Sequence, residues 1–168
     1  MKKFVLPIIC FSTIGLLIVV SSAIFMGKQV FIHRDVETKV TALIDEMTTS
    51  PSRQERAFLG LQELSEEAIP YLVGHLDDMR PLAVPEVHLV NKAPGAFERT
   101  AHYGPVVVHD GLSLVLAQLT KRHVIVGYGV STRQDREKNR DEWMDWCKLT
   151  YPAKIKECGF PDLNIPKY

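Results

Sequence analysis

Four polar side chains that could take part in chemistry lie within one short stretch of the chain. They are two carboxylates and two imidazoles: Glu98, His102, His109 and Asp110. Imidazole nitrogens and carboxylate oxygens bind divalent metals, and the same groups act as acid and base in hydrolysis. The stretch is therefore compatible with a small metal-dependent envelope hydrolase that uses Glu98, His102 and His109.

A structural interpretation of the same stretch competes with the chemical one. Residues 102–105 have the composition of a turn that enters a helix, and His109 lies at the margin of the apolar stripe of that helix. Asp110 points roughly away from the stripe, so His109 and Asp110 cannot converge on one ion without further ligands. We expect His109 to be a hydrogen-bonded histidine at the edge of the core, and we assign no catalytic residue, metal or cofactor.

Two cysteines, Cys147 and Cys158, lie outside the N-terminal apolar stretch that contains Cys10. In an oxidising compartment they could form a disulfide that stabilises the fold by roughly 3 kcal/mol, and two free thiols are the alternative. Neither a C-x-x-C pair nor a Cys/His cluster supports a structural zinc site. A cysteine nucleophile would need a histidine base, and His123, the nearest in sequence, has no local signature of that role.

Three aromatic residues are candidates for a partner-binding surface. Trp143 and Trp146 are one helical turn apart, and Tyr103 is the third candidate. Indole rings suit surfaces that are apolar at one end and wet at the other, so the tryptophan pair could contact a protein partner or a membrane interface. The alternative role of such a pair is to seal the edge of a core.

Several classes of function lack support in the sequence. There is no G-x-S-x-G elbow, H-E-x-x-H helix, phosphate-binding glycine loop or dinucleotide fingerprint. Basic and acidic residues balance at 20 each, which provides no net field to attract nucleic acid. We therefore expect no nucleic-acid partner.

The N-terminal stretch predicts the compartment. Lys2 and Lys3 precede an uncharged, largely apolar run from Phe4 to Gly27. About 20 apolar residues at about 1.5 Å each span a hydrocarbon core of roughly 30 Å, whereas the apolar region of a secretory signal has about 7 to 15 residues. The length favours a retained inner-membrane anchor, with the following domain in the periplasm. The small residues Ser21 to Ala23 leave secretion to the periplasm after signal cleavage as the alternative.

The chain beyond the anchor is predicted to be mainly helical. Apolar residues recur at helical spacing in five segments: Val36 to Met47, Ala57 to Leu64, Ala68 to Leu76, Val108 to Leu119, and Trp143 to Cys147. The short links between the first three helices make them antiparallel neighbours. The fourth is apolar around most of its circumference, which is typical of a helix at the centre of a core.

Other local signals predict where the elements begin and what connects them. Helix starts are expected at capping residues or breakers: Ser52 with Glu55, Ser65, Gly104-Pro105, and Ser131 with Gln134. The charged run from Arg133 to Glu142 is expected to be solvated. Met79 to Gly104 is rich in breakers and is predicted as a loop that contains one strand, Val87 to Val90, which could pair with Val124 to Val126 in a ribbon.

The first helices also resemble a known family. The run Glu55-Arg56-Ala57, then Leu61 and Leu64, and then residues 67–73 and 76–78 resemble a HEAT-like helical repeat of the bacterial type. A weaker similarity, from Phe97-Glu98 through residues 102–105 to Trp143 and Trp146, is to the C-terminal part of uncharacterised bacterial envelope proteins with a HEAT-like N-terminal part. This resemblance implies a packing or protein-binding surface, because HEAT-like repeats generally act as scaffolds.

The sequence thus predicts four regions. Residues 1–27 form a membrane anchor or signal segment, 28–35 a juxtamembrane linker, 36–150 a small HEAT-like helical domain of about five helices with a short two-stranded ribbon, and 151–168 an extended C-terminal tail on the surface. We expect a membrane-tethered, extracytoplasmic protein-interaction module whose partner is another envelope protein. The metal-dependent hydrolase is the alternative.

Overall fold

The computed structural model describes residues 35–90, 100–122 and 131–161, with the backbone alone for Val90 and residues 100–103. The predicted membrane segment, residues 1–27, lies outside these ranges, as do Glu98, the predicted strand at 124–126 and residues 162–168. None of the helices within the described ranges combines the length and apolarity needed to cross a bilayer. Residues 37–168 belong to one compact unit.

Helices dominate the described structure, which confirms the mainly α prediction. The first helix, α1, covers residues 35–46 and continues as a turn. It is followed by α2 (Pro51–Gln62), a 3-10 turn (Glu66–Ala68) that leads into α3 (Ile69–Gly74), α4 (Val108–Thr120) and α5 (Arg133–Thr150). Among these elements, α3 packs against both α4 and α5, and α2 packs against α4.

Ser65 precedes the 3-10 turn that leads into α3, as predicted, whereas the other helix starts differ from the predicted ones by a few residues. Helix α2 begins at Pro51 after Ser50, because proline has no amide hydrogen to lose and its fixed φ suits the first helical position. Helix α5 is capped by Thr132, whose Oγ1 accepts a hydrogen bond from the amide of Asp135 at 3.2 Å while the Asp135 carboxylate accepts one from the Thr132 amide at 2.8 Å. This reciprocal capping replaces the predicted Ser131 and Gln134.

Helix α4 lies at the centre of the core, as its all-round apolar sequence predicts. All nine residues from Val108 to Leu116 are buried. Gly111 allows α2 to approach closely, because a Cβ atom there would lie 2.7 Å from Cζ of Phe58 and 2.9 Å from Cε of Met47. The largest fully buried side chains come from all of the helices and from the first strand: Ile44, Met47, Phe58, Leu61, Ile69, Leu72, Leu76, Leu89, His109, Leu112, Leu116 and Trp143.

A two-stranded antiparallel ribbon connects α3 to α4. Its strands are β1 (Val87–Val90), which packs on α2, and β2 (Thr100–Tyr103). The register places Val87 opposite Tyr103 and His88 opposite His102. The predicted β1 is confirmed, but its partner in the described structure is β2. Residues 100–103 were assigned to a loop and a helix-entry turn, so the structure corrects that assignment.

The base of the ribbon is fixed to the helices by hydrogen bonds. Pro81 and Val107 form an isolated antiparallel bridge, flanked by a bond from the Leu82 amide to the Val106 carbonyl. The buried side chain of Gln54 on α2 adds three bonds to the backbone of residues 84–86, at 2.9 to 3.0 Å. Val107 is extended, and α4 begins at Val108 and not at the predicted Gly104-Pro105.

The chain after α5 folds back on the helices, whereas an extended tail was predicted. A 3-10 turn at Pro152–Lys154 leads to Cys158, which forms a disulfide with Cys147 on α5. The two Cα atoms are 5.9 Å apart, and both cysteines are fully buried. The sequence left a disulfide and two free thiols open, and the structure contains the disulfide.

Candidate functional site

The candidate site is a polar cluster buried between α4 and α5. On α4 it contains His109, Asp110 and Ser113, and on α5 it contains Arg136 and Asn139. Residues three or four positions apart share one face of a helix. Arg136, Asn139 and Trp143 therefore follow one another along the side of α5 that meets α4.

Asp110 and Arg136 form a bidentate ion pair within this cluster. The side chain of Asp110 is 5% exposed and that of Arg136 is 16% exposed. Asp110 Oδ2 also accepts hydrogen bonds from the amides of Val106 and Val107, at 3.1 and 3.3 Å. Burial alone would raise the pKa of Asp110, but the bonds from Arg136 and from the two amides outweigh burial and lower that pKa below its usual value.

The predicted orientation of these two residues is therefore wrong. Asp110 was expected to point away from the apolar stripe, and Arg136 was expected to lie on a solvated face. Each turns toward the other because a carboxylate at the first turn of α4 caps free backbone amides there, and a planar guanidinium can satisfy both of its oxygens.

His109 is a core residue with 2% exposure. Its Nδ1 lies 2.6 Å from the carbonyl oxygen of Leu76, and because a carbonyl can only accept, Nδ1 carries the proton. The side chain of Asn139 bonds to the same imidazole, and Asn139 Oδ1 accepts a bond from Ser113 Oγ at 2.8 Å. Desolvation lowers the pKa of His109 and outweighs the Leu76 bond and the Asp110 charge, which raise it.

This geometry suits a packing role for His109 better than a chemical one. A metal ligand needs a nitrogen lone pair that faces an accessible ion, and a general base needs one that faces a substrate. The imidazole of His109 is instead buried and hydrogen-bonded to Leu76 and Asn139. The arrangement corresponds to the hydrogen-bonded core histidine that the sequence predicts.

For the other members of the predicted hydrolase site, the structure describes only the backbone of His102. Glu98 lies outside the described residues, and the backbone of His102 is in the middle of β2. Among the described side chains, no group of three His, Cys, Asp or Glu residues has the geometry to hold a metal ion.

A second polar and aromatic surface lies at the C-terminal half of α5. The rings of Trp143 and Trp146 meet edge to face at 5.4 Å, and those of Trp146 and Tyr151 meet in the same way at 5.9 Å. The guanidinium of Arg122 lies over both indoles, 5.8 Å from the centroid of Trp143 and 5.1 Å from that of Trp146. Such stacking fixes the orientation of Arg122 on the ring faces.

The three predicted interaction residues lie at different places in the fold. Trp143 is buried and seals the core, while Trp146 is half-buried. Tyr103 lies on β2 opposite Val87. One helical turn beyond Trp146, Leu149 is 82% exposed, the most exposed of the large hydrophobic residues in the described part of the chain. We call Arg122, Trp146, Leu149 and Tyr151 the aromatic edge.

A polar groove borders the C-terminal turn, with a cavity volume of about 520 Å³. Its lining includes Glu37, Tyr71, His75, Lys156 and Glu157. Burial raises the pKa of the Tyr71 hydroxyl, and the negative charges of Glu157 and Glu37 raise it further. A tyrosine that holds its proton this firmly can donate a hydrogen bond but is a poor nucleophile.

Sequence reasoning missed the α5 half of the buried cluster. The run from Arg133 to Glu142 looks uniformly solvated because nearly every residue in it is charged. The available signal was spacing: Arg136 and Asn139 precede Trp143 at helical intervals of seven and four, so they share its inward-facing side. Extending the apolar stripe of α5 toward its N-terminus would have found them.

No protein-family model matches the sequence, and comparison with curated proteins and with solved structures finds no match.

Proposed function

We propose that this protein is a membrane-tethered, extracytoplasmic helical module that binds another protein of the bacterial envelope, with no catalytic activity of its own. The main support for an extracytoplasmic location is the disulfide between Cys147 and Cys158. Disulfides persist in secreted and periplasmic proteins and are rare in the reducing cytosol. Together with the apolar run from Phe4 to Gly27, the disulfide favours a domain delivered across the membrane.

The interaction role draws support from how the reactive side chains are used. The imidazole, carboxylate, hydroxyl and guanidinium of the α4–α5 cluster bond to one another and to the backbone inside the core. Such a network holds two helices in register. The described groups with the most catalytic character are thus committed to packing, which favours a protein-binding surface over an active site.

The aromatic edge is the described surface best suited to a partner. Tryptophan, tyrosine and arginine are the residue types that contribute most to protein-binding interfaces, and here they lie beside an exposed leucine. The stacking of Arg122 on Trp146 restricts both side chains before binding, which reduces the entropy that binding would cost. Of the three residues first assigned to interaction, Trp146 belongs to this surface.

The metal-dependent hydrolase has less support. The proposed ligands of this hydrolase are Glu98, His102 and His109. His109 could bind a metal only by giving up its hydrogen bonds in the core. Metal analysis of the purified full-length protein tests this alternative directly. A bound metal that is lost on His109→Gln substitution would favour the hydrolase over the interaction module.

Site-specific photocrosslinking in intact cells tests the interaction. A photoreactive residue replaces Leu149 on the aromatic edge in the full-length chain, and the matched control places it at Leu59, an exposed leucine on α2. We expect a discrete crosslinked product at position 149 that is absent at 59 and disappears when Trp146→Ala is added. Equal products at both positions, or none at 149, would overturn the proposed surface.

The tether is tested separately by fractionation of the same cells. The full-length chain should sediment with membranes. An externally added protease should cleave the domain only after the outer membrane has been permeabilised. Recovery of the intact chain in the cytosolic fraction would overturn the proposed location.

A further inference from the structure

The guanidinium of Arg122 lies in the corner between two nearly perpendicular indole rings. Its Cζ is 5.8 Å from the ring centroid of Trp143 and 5.1 Å from that of Trp146, and the two ring planes meet at 80°. Arg122 is an exposed residue, so the side of its guanidinium away from the rings is open to another molecule. The two rings therefore hold a positive charge at a defined place on the aromatic edge.

The backbone that carries Arg122 is fixed as well. Helix α4 ends at Thr120, and Lys121 after it adopts the left-handed conformation with a φ of 56°. The Thr120 hydroxyl donates a hydrogen bond to the carbonyl oxygen of Leu116 at 2.7 Å and accepts one from the Arg122 amide at 3.3 Å. Arg122 therefore leaves the end of α4 in a set direction before any partner binds.

The hydrogen-bond donors of this guanidinium are not used by the described side chains. An arginine side chain has several N–H donors, whereas an indole ring supplies a π face and one N–H donor but no acceptor. None of the described carboxylates forms an ion pair with Arg122. Of the 20 aspartate and glutamate residues in the chain, only Glu98 and Asp162 lie outside the described residues. Nearly all of the protein's own side-chain carboxylates are therefore placed elsewhere.

We propose that Arg122 binds a side-chain carboxylate of the partner protein, beside an apolar residue of that partner that packs on Trp146 and Leu149. This inference rests on the proposed role of the aromatic edge in protein binding and adds the chemistry of the partner. A planar guanidinium matches the two oxygens of a carboxylate, as the bidentate pair of Arg136 with Asp110 in this chain shows. Leu149 is 82% exposed one helical turn beyond Trp146, so the carboxylate and the apolar residue would bind at adjacent positions.

The charges around the aromatic edge favour a single carboxylate of a protein over an anionic lipid surface. Glu142 and Asp145 are exposed and lie one helical turn before Trp146 and Leu149, so helical spacing places them on the same side of α5. A surface with many phosphates would bring negative charge against both of these carboxylates. A partner segment with one acidic residue next to an apolar one reduces that repulsion and still pairs with Arg122.

Photocrosslinking from position 149 of the full-length chain in intact cells tests this contact when substitutions of Arg122 are added. Arg122→Gln and Arg122→Glu should each lower the yield of the crosslinked product by about tenfold or more, because removal of one partner of a desolvated charge pair weakens binding at least that much. Arg122→Lys keeps the charge but not the planar fork, so its yield should be intermediate. The control is Arg56→Glu, which changes the net charge equally at an exposed arginine on α2 and should leave the yield unchanged.

Exchange of the two charges decides whether a carboxylate is the contact. Mass spectrometry of the product identifies the crosslinked peptide of the partner, and the acidic residue nearest to the crosslinked position is replaced by lysine. This substitution should remove the product of the chain with Arg122 and restore the product of the Arg122→Glu chain. Circular dichroism melting of each purified full-length variant in detergent identifies any that fails to fold, and Arg122→Gln with Arg122→Lys decides the outcome if Arg122→Glu is unfolded.

The outcomes separate the carboxylate contact from the surface on which it rests. The contact alone would be overturned by a protein product whose yield is unchanged in Arg122→Gln and Arg122→Glu, by an equal loss in Arg56→Glu, or by a charge exchange that does not restore the product. A product whose added mass is that of a lipid, or no product at position 149 in the chain with Arg122, would overturn both the contact and the protein-binding surface.

Discussion

Arg136 Nε lies 2.7 Å from Asp110 Oδ1, and Nη2 of the same guanidinium lies 2.9 Å from Oδ2. The pair joins residues 26 positions apart and connects the first turn of α4 to the first turn of α5. Because Asp110 also accepts bonds from two backbone amides, its carboxylate is held by donors from both sides of the helix interface. The carboxylate of Asp110 therefore joins the first turns of α4 and α5.

Replacement of this carboxylate should destabilise the domain strongly. In Asp110→Asn, the Arg136 charge stays buried without its counter-charge, and removal of one partner of a buried pair costs about 3 to 5 kcal/mol. Urea unfolding followed by circular dichroism measures the loss. The control is Arg133→Ala, which removes an exposed pair with Glu137 at 2.9 Å and should cost less than about 1 kcal/mol. Similar losses in the two variants would contradict a structural role for the buried pair.

His109 should make stability depend on pH near neutrality. Burial lowers the pKa of its imidazole in the folded state, whereas the unfolded chain has a value of about 6.5. Below about pH 6.5 the unfolded state therefore binds a proton that the folded state does not, and the free energy of unfolding falls as the pH falls, by up to about 1.4 kcal/mol per unit, until the folded pKa is reached.

Unfolding free energies measured from about pH 7.5 to about pH 5 test this dependence. His109→Gln should lower stability at neutral pH and flatten the slope, because glutamine does not titrate. Ser113→Ala removes the hydroxyl that donates to Asn139 but keeps the imidazole, so it should be less stable than wild type and retain the slope. A wild-type slope in His109→Gln would show that other groups produce it.

The disulfide should contribute several kilocalories per mole to stability. The bridged cysteines are 11 residues apart, and closing a loop of this length removes about 3 kcal/mol of chain entropy from the unfolded state. The double variant Cys147→Ala/Cys158→Ala should unfold at a correspondingly lower urea concentration than oxidised wild type. Reductant should leave native wild type intact but lower its midpoint once urea exposes the bond, since both cysteines are fully buried. An unchanged midpoint in the double variant would contradict the expected contribution.

Two glycines in helices should respond in opposite ways to substitution by alanine. A Cβ at Gly74 would lie 2.3 Å from the backbone oxygen of Glu157, so Gly74→Ala must push the C-terminal turn away from α3 and should cost about 1 to 3 kcal/mol. A Cβ at Gly60 would meet only the end of the Leu43 side chain, at 2.9 Å, which can rotate. Gly60→Ala should therefore be neutral or stabilising, because alanine favours a helix by about 1 kcal/mol. Thermal melting compares the two, and equal shifts would argue against the close approach at Gly74.

The parts of the fold that follow from sequence are those set by local periodicity. The apolar spacing in α2 and the all-round apolar character of α4 identify both helices, and the single strand at Val87 to Val90 stands out from its flanking breakers. The strand opposite it did not, because residues 100–103 lack the valine and leucine residues that mark β1 and include a histidine that suggested other roles. Pairing depends on which segment meets β1 in space, and one strand does not specify its partner.

The candidate site shows the same division between local and long-range information. His109 was identified from its place on the margin of the α4 stripe, and its burial follows from that place. The partners of His109 and Asp110 were not identified, because Asn139 and Arg136 are far along the chain and have the side chains of a solvated helix. A polar residue is buried where a hydrogen-bonding partner is available, and the sequence alone does not show which distant residue supplies that partner.

The bridge between Pro81 and Val107 places the two ends of the ribbon segment next to each other, beside the helices. Within the segment that this bridge closes, the number of residues between β1 and β2 can change without shifting the flanking helices, because the cost of closing a longer loop grows only slowly. Gln54 adds a fixed attachment at the start of that segment. Variation among related sequences should therefore concentrate between β1 and β2, so that new recognition properties can arise while the buried strand and the helical support are inherited intact.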